Sequence, residues 1–84
     1  MANYRRTISK LQTAILGQGR AIRMNTFQFY SAEKRCMIST NILIEKQLVK
    51  NRKGEMVMKD VEIYKSVSMP DIVKFLADIY KAGG

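Results

Sequence analysis

Apolar positions near the start of the chain recur at helical spacing. Tyr4, Ile8, Leu11 and Ile15 fall at i, i+4, i+7 and i+11, which lines them up as one stripe, while Arg5, Arg6, Ser9, Lys10, Gln12 and Thr13 point elsewhere. Gly17 and Gly19 stop this helix, one of them as a left-handed cap. From Arg20 to about Tyr30 the period becomes two, and Phe27, Phe29 and Tyr30 favour a strand. The polar run SAEKR, residues 31–35, reads as a turn.

A second strand is predicted from about Cys36 to Val49, with Cys36, Ile38, Thr40, Ile42 and Ile44 alternating onto one face. The run Asn51-Arg52-Lys53-Gly54 then matches a four-residue hairpin loop built on a type I turn, with glycine where φ must be positive. A third strand follows from about Glu55 to Val67, with Val57, Val61, Ile63 and Val67 on one face. The segment SMPD opens a last helix: Ser68 suits the N-cap, Asp71 completes a capping box, and Pro70 is tolerated in the first turn. Ile72, Phe75, Leu76, Ile79 and Tyr80 form its apolar stripe, and Gly83-Gly84 lets it fray. The predicted architecture is α+β, α-β-β-β-α, a three-stranded antiparallel sheet with two helices packed on one face. No linker or repeat divides residues 1–84, so they read as a single small domain.

The sheet faces are harder to assign. Ile38, Ile42, Ile44, Val61 and Ile63 are expected in the core. The opposite face then carries Met37, Leu43, Met56, Met58 and Tyr64 among polar residues, more apolar than a solvated face needs. Ile22 and Met24 conflict in phase with Phe27 and Phe29 unless a bulge near Asn25-Thr26 switches the register. The favoured expectation is that bulge, with both phenylalanines in the core and the remaining Met and Leu side chains forming a dimer contact. The competing expectation leaves Phe27, Phe29 and Tyr64 on an open face beside Arg23 and Asn25, a platform on which single-stranded bases stack.

Length bounds these expectations. A chain of 84 residues buries only about 60–65% of the surface it would expose unfolded, so its core is thin and a dimer or bound partner would add stability. Apolar residues make up 46% and charged residues 26%, which excludes a disordered tail. The apolar runs are far shorter than the roughly 20 residues that span a bilayer, and MANYRRTISK has no signal-peptide core. Cys36, the lone cysteine, fits a reducing, cytoplasmic setting and is expected to be buried and inert beside Met37 and Ile38.

Charge changes the picture most. The net charge is +8, from 15 basic and 7 acidic residues. Residues 1–35 hold seven basic groups against Glu33, and residues 36–84 hold eight against six acidic ones. This asymmetry implies a basic surface whose partner is nucleic acid, an acidic protein patch or, more weakly, an anionic membrane surface; the helices lack Trp and a large apolar face, which argues against the membrane.

Candidate chemistry is sparse. The chain has no histidine, and one cysteine cannot build a zinc site or a Cys–His pair, so neither catalysis nor a cofactor is expected. Asp60 and Glu62 share a strand face but have Lys59 and Lys65 for neighbours, as solvated ion pairs do. The glycine run GQGR, residues 17–20, follows a helix instead of opening one, so it lacks the positive helix end that holds phosphates. The order α-β-β-β-α is similar to that of the double-stranded RNA-binding domain, in topology alone. That family starts its last helix with a lysine-rich KKxAK-type segment; here the helix opens SMPDIVK, with Asp71 where a cation is wanted, so no residue role carries over.

The expectation is a small, non-catalytic, basic nucleic-acid-binding protein, DNA or RNA. Its phosphate contacts come from Arg5, Arg6 and Lys10 on the first helix, Arg20 and Arg23 entering the first strand, and Lys50, Arg52 and Lys53 at the hairpin tip. The alternative is a small inhibitor or adaptor, of a size that phages and mobile elements encode, that binds another protein through Met37, Met56 and Met58 on its sheet face.

Overall fold

A computed structural model describes residues Tyr4 to Gly83. The elements run α1 (Tyr4–Gly17), β1 (Ile22–Ser31), β2 (Cys36–Lys50), β3 (Met56–Ser66) and α2 (Met69–Gly83). The sheet order is β1-β2-β3, antiparallel throughout. Both helices lie on one face. They run parallel to each other, because the start of each borders the groove shared by Ile8, Val67 and Met69, while at the far end the Gln18 side chain donates to the Tyr80 carbonyl at 3.0 Å.

Local chemistry accounts for the ends of the elements. Gly19 sits at φ 92°, and the amides of Gly19 and Arg20 return to the carbonyls of Leu16 and Ile15, so Gly19 is the left-handed cap of α1. At the second hairpin, Gly54 has φ 81°, and the Asn51 carboxamide oxygen accepts from the amides of Lys53 and Glu55, both at 2.9 Å. The Gly54 amide closes the turn on the Asn51 carbonyl. Ser68 occupies the N-cap position of α2, but no side-chain bond from it to the first turn is formed among the described residues. Instead its own amide donates to Ser66 Oγ at 3.0 Å, so the expected capping box is not closed.

The core consists of Ile8, Ile15, Ile22, Leu43, Ile72 and Leu76, with Met24, Ile63, Tyr64, Phe75 and others packed around it. Tyr64 and Phe75 stack with ring centroids 4.3 Å apart, so Tyr64 faces the helices and not the open side. Two polar side chains are buried with this core. Asn41 accepts from Thr26 Oγ1 and donates to the Ser66 carbonyl, tying the three strands together. Glu45 accepts from Arg20.

The sheet corrects the expected faces. The β1–β2 ladder runs without a break from Ile22↔Glu45 to Ser31↔Cys36, so no bulge lies near Asn25. The irregularity is on β3, where Leu43 and Ile44 pair with Tyr64 and Glu62 and leave Ile63 extra. Phe27 and Phe29 therefore stay on the face away from the helices, 52% and 46% exposed. Ile38, Ile42 and Ile44 share that face and are only half-buried; the buried residues of β2 are Asn41, Leu43 and Glu45. The middle of β2 is apolar on both sides, so alternation could not say which side the helices would cover. Cys36 is exposed at the start of β2, and Val67, on the rim of the open groove between the starts of the helices, is 61% exposed.

Candidate nucleic-acid interface

The cations on α1 diverge around its axis. At about 100° per residue, Arg6 and Lys10 point away from the side that carries Ile8 and Ile15, whereas Arg5 lies on its flank. Arg5 borders a groove of about 540 Å³ with Met24, Thr26 and Ser39. All three cations are exposed. The first turn of α1 contains no acidic residue, so Arg5 and Arg6 stand at the positive end of the helix dipole. Cations there cost about 0.3–1 kcal/mol each, a cost that a bound anion relieves.

Arg20 and Arg23 are occupied. Arg20 grips the buried Glu45 with two bonds, Nε to Oε2 at 2.7 Å and Nη2 to Oε1 at 2.8 Å, and Gln47 adds a third donor at 3.1 Å. The Arg20 guanidinium, against the opposing cost of burial, holds the Glu45 carboxyl below the usual carboxylate range. Arg23 reaches across β2 to Asp60, at 2.7 and 3.3 Å, and in the open this pair lowers the Asp60 carboxyl likewise. Both guanidiniums already face carboxylates, which sets them apart from the three cations of the hairpin tip.

Lys50 ends β2, and Arg52 and Lys53 form the turn beyond it; all three are exposed and make no ion pair among the described residues. This tip does not adjoin the α1 cations. Arg5 borders the groove that Thr26 and Ser39 also line, and eleven strand positions separate Ser39 from Lys50, about 35 Å at the usual strand rise. The structure instead brings α1 toward the other hairpin, whose tip carries Lys34 and Arg35. Sequence reasoning passed over those two as a polar turn, although two adjacent cations at a predicted turn were the available signal. Arg35 holds a left-handed φ of 54°, a conformation usually left to Gly or Asn. Each end of the sheet thus carries a basic hairpin tip, and the α1 cations belong to one end only.

The uncovered sheet face separates the two ends. By cross-strand pairing it carries Phe29 and Ile38, Phe27 and Thr40, Asn25, Ile42 and Lys65, then Arg23, Ile44 and Glu62, then Lys46 and Asp60, Leu48 and Met58, Lys50 and Met56. Among the described residues no helix is long and apolar enough to cross a membrane. Compared with known proteins, the chain matches no family model, no curated protein and no solved structure, so its chemistry rests on this arrangement of charge and apolar surface.

Proposed function

We propose that this protein binds nucleic acid through phosphate contacts, without catalysis and with weak sequence preference, in a reducing, cytoplasmic setting. The observation that carries the proposal is the placement of the cations that oppose no carboxylate. Lys50, Arg52 and Lys53 gather at one end, and Arg5 and Lys10, with Arg6 beside them, lie on the first half of α1, which starts toward the end whose hairpin tip carries Lys34 and Arg35. Phosphate oxygens would balance the excess of cations at both ends, where Glu33 and Glu55 are the acidic residues of the two turns, and the start of α1 adds its dipole. A projecting basic hairpin can lie along a backbone or enter a groove. Arg20 and Arg23 leave the set of phosphate ligands, because freeing either would abandon a carboxylate.

Salt titration on a duplex tests this. One end engaging about three phosphates gives a log–log slope near −3, and both ends together give about −5. Replacing Arg52 and Lys53 with Ala together should shallow the slope by about 2. Binding that ignores salt, or no binding at 20–50 mM salt, about the lower end of the range where such contacts are strongest, overturns the proposal.

A further inference from the structure

We infer that the uncovered sheet face is a self-association surface that a second copy of this chain covers. The inference stands apart from the nucleic-acid proposal, because it uses a different face and a different force. Phe27, Phe29, Leu48, Met56 and Met58 are 46–61% exposed there, with half-buried Ile38, Ile42 and Ile44 continuing the surface between them. The shortest dimension of the molecule is 16 Å, one helix layer on one sheet, and none of the described elements covers the other side.

Three features choose a second copy over other occupants. The first is area. From Ile38 to Lys50 the face is two to three strands wide, which at usual strand spacings offers roughly 600–800 Å² of accessible surface. Two copies would bury about 1,200–1,600 Å², the range of stable protein interfaces. The second is charge. A chain of net charge +8 repels its own copy, so it can self-associate only where charge is balanced. The centre of this face holds Arg23 and Lys46 against Asp60 and Glu62, a neutral belt, and only Lys50 and Lys65 add positive charge toward its margins. The other six units of net charge lie elsewhere. The third is side-chain type. The face is mainly aliphatic and thioether, and bases stack on aromatic rings, of which it offers only Phe27 and Phe29. Met and Leu pack readily against Phe, and sheets stacked face to face lie about 10 Å apart.

Sedimentation of the full chain over a range from about 1 to 200 μM tests the inference, since typical interfaces of this size have dissociation constants at or below micromolar. A mass of twice 9.7 kDa is expected in the upper range. Phe27→Ser and Met58→Lys, each at an exposed position, should weaken the dimer at least tenfold while the melting curve of the dilute protein stays in place. Amide resonances of Ile42 and Ile44 in the unaltered protein should shift on dilution, a readout that needs no variant. A chain that stays monomeric throughout overturns the inference, as does a dimer whose constant neither substitution changes or whose dilution shifts fall on the helices. A monomer whose Phe27 and Phe29 resonances respond to a single-stranded oligonucleotide overturns it in favour of a stacking platform.

Discussion

Arg20 and Arg23 lie on the same stretch of chain and each holds a carboxylate, yet they differ in consequence. Glu45 is 5% exposed, so without Arg20 it becomes a buried charge with only Gln47 for company. Arg20→Ala is expected to cost about 1–3 kcal/mol, less than the roughly 3–5 kcal/mol of a fully buried pair, because Arg20 itself keeps much of its surface in water. Arg23→Ala breaks a pair that water screens on both sides and should leave the urea midpoint nearly unchanged. Glu45 also links stability to pH. Its folded-state pKa lies below its unfolded value, so the stabilisation is complete above the ordinary glutamate range and disappears as pH falls through the folded-state value. Urea midpoints should therefore drop on acidification below about pH 4.3, and Glu45→Gln should flatten part of that drop. Phe27→Ala and Phe29→Ala belong to this scale too. Each is about half exposed, so in dilute protein neither should bring the 3–5 kcal/mol loss, an approximate figure, of a buried phenylalanine.

At the scale of elements, the helices carry most of the core, and their contacts are few. Ile8 and Leu76 are buried between α1, α2 and the sheet. Ile8→Ala or Leu76→Ala should each cost about 2–5 kcal/mol, a large share of the stability of a domain with so thin a core. Calorimetric melting checks this; wild-type transitions would mean that the helices do not dock here. Ser68→Ala should cost less than the usual cap loss of about 1 kcal/mol, since the Ser68 hydroxyl makes no bond to the first turn. Gly19→Ala should cost about 1 kcal/mol or more, because φ 92° strains any residue with a Cβ. The extent and type of the elements were readable for a local reason. Helical spacing at Tyr4, Ile8, Leu11 and Ile15, glycines after it, NRKG between alternating runs and the stripe from Ile72 to Tyr80 are signals that neighbouring residues set by themselves. The observed ends fall within about two residues of those expected, as fraying ends allow.

At the scale of the whole molecule, the eight candidate cations resolve into three groups that proximity in sequence does not define. Two are bound to carboxylates, three crown one end of the sheet, and three lie on the first half of α1, toward the other end. A short duplex that reaches one end only should lose affinity on substitution of Arg52 and Lys53 or of Arg5 and Lys10, but not of both pairs to the same degree. Duplexes lengthened past about 35 Å, roughly ten base pairs at 3.4 Å each, should gain affinity where both ends engage the same molecule. Fluorescence anisotropy with duplexes of graded length checks this; affinity independent of length would assign binding to a single end.

The sequence by itself determined the order of elements, their type and their turns, because each depends on backbone propensity and side-chain spacing within a few residues. It also determined that basic charge would dominate the surface, since Lys and Arg cannot be buried unpaired. Tertiary structure alone decided which side of β2 is inside. The run Asn41-Ile42-Leu43-Ile44-Glu45 alternates with apolar groups on both faces, and the helices chose the side with Leu43, accepting Asn41 and Glu45 because Thr26, Ser66 and Arg20 satisfy them. That choice left Phe27 and Phe29 outside, turned Arg20 from a surface cation into the partner of a buried carboxylate, and set the α1 cations and the hairpin tip at opposite ends. The physical reason is that burial of a sheet face depends on which other elements the chain path brings over it, a long-range fact that period-two alternation does not encode.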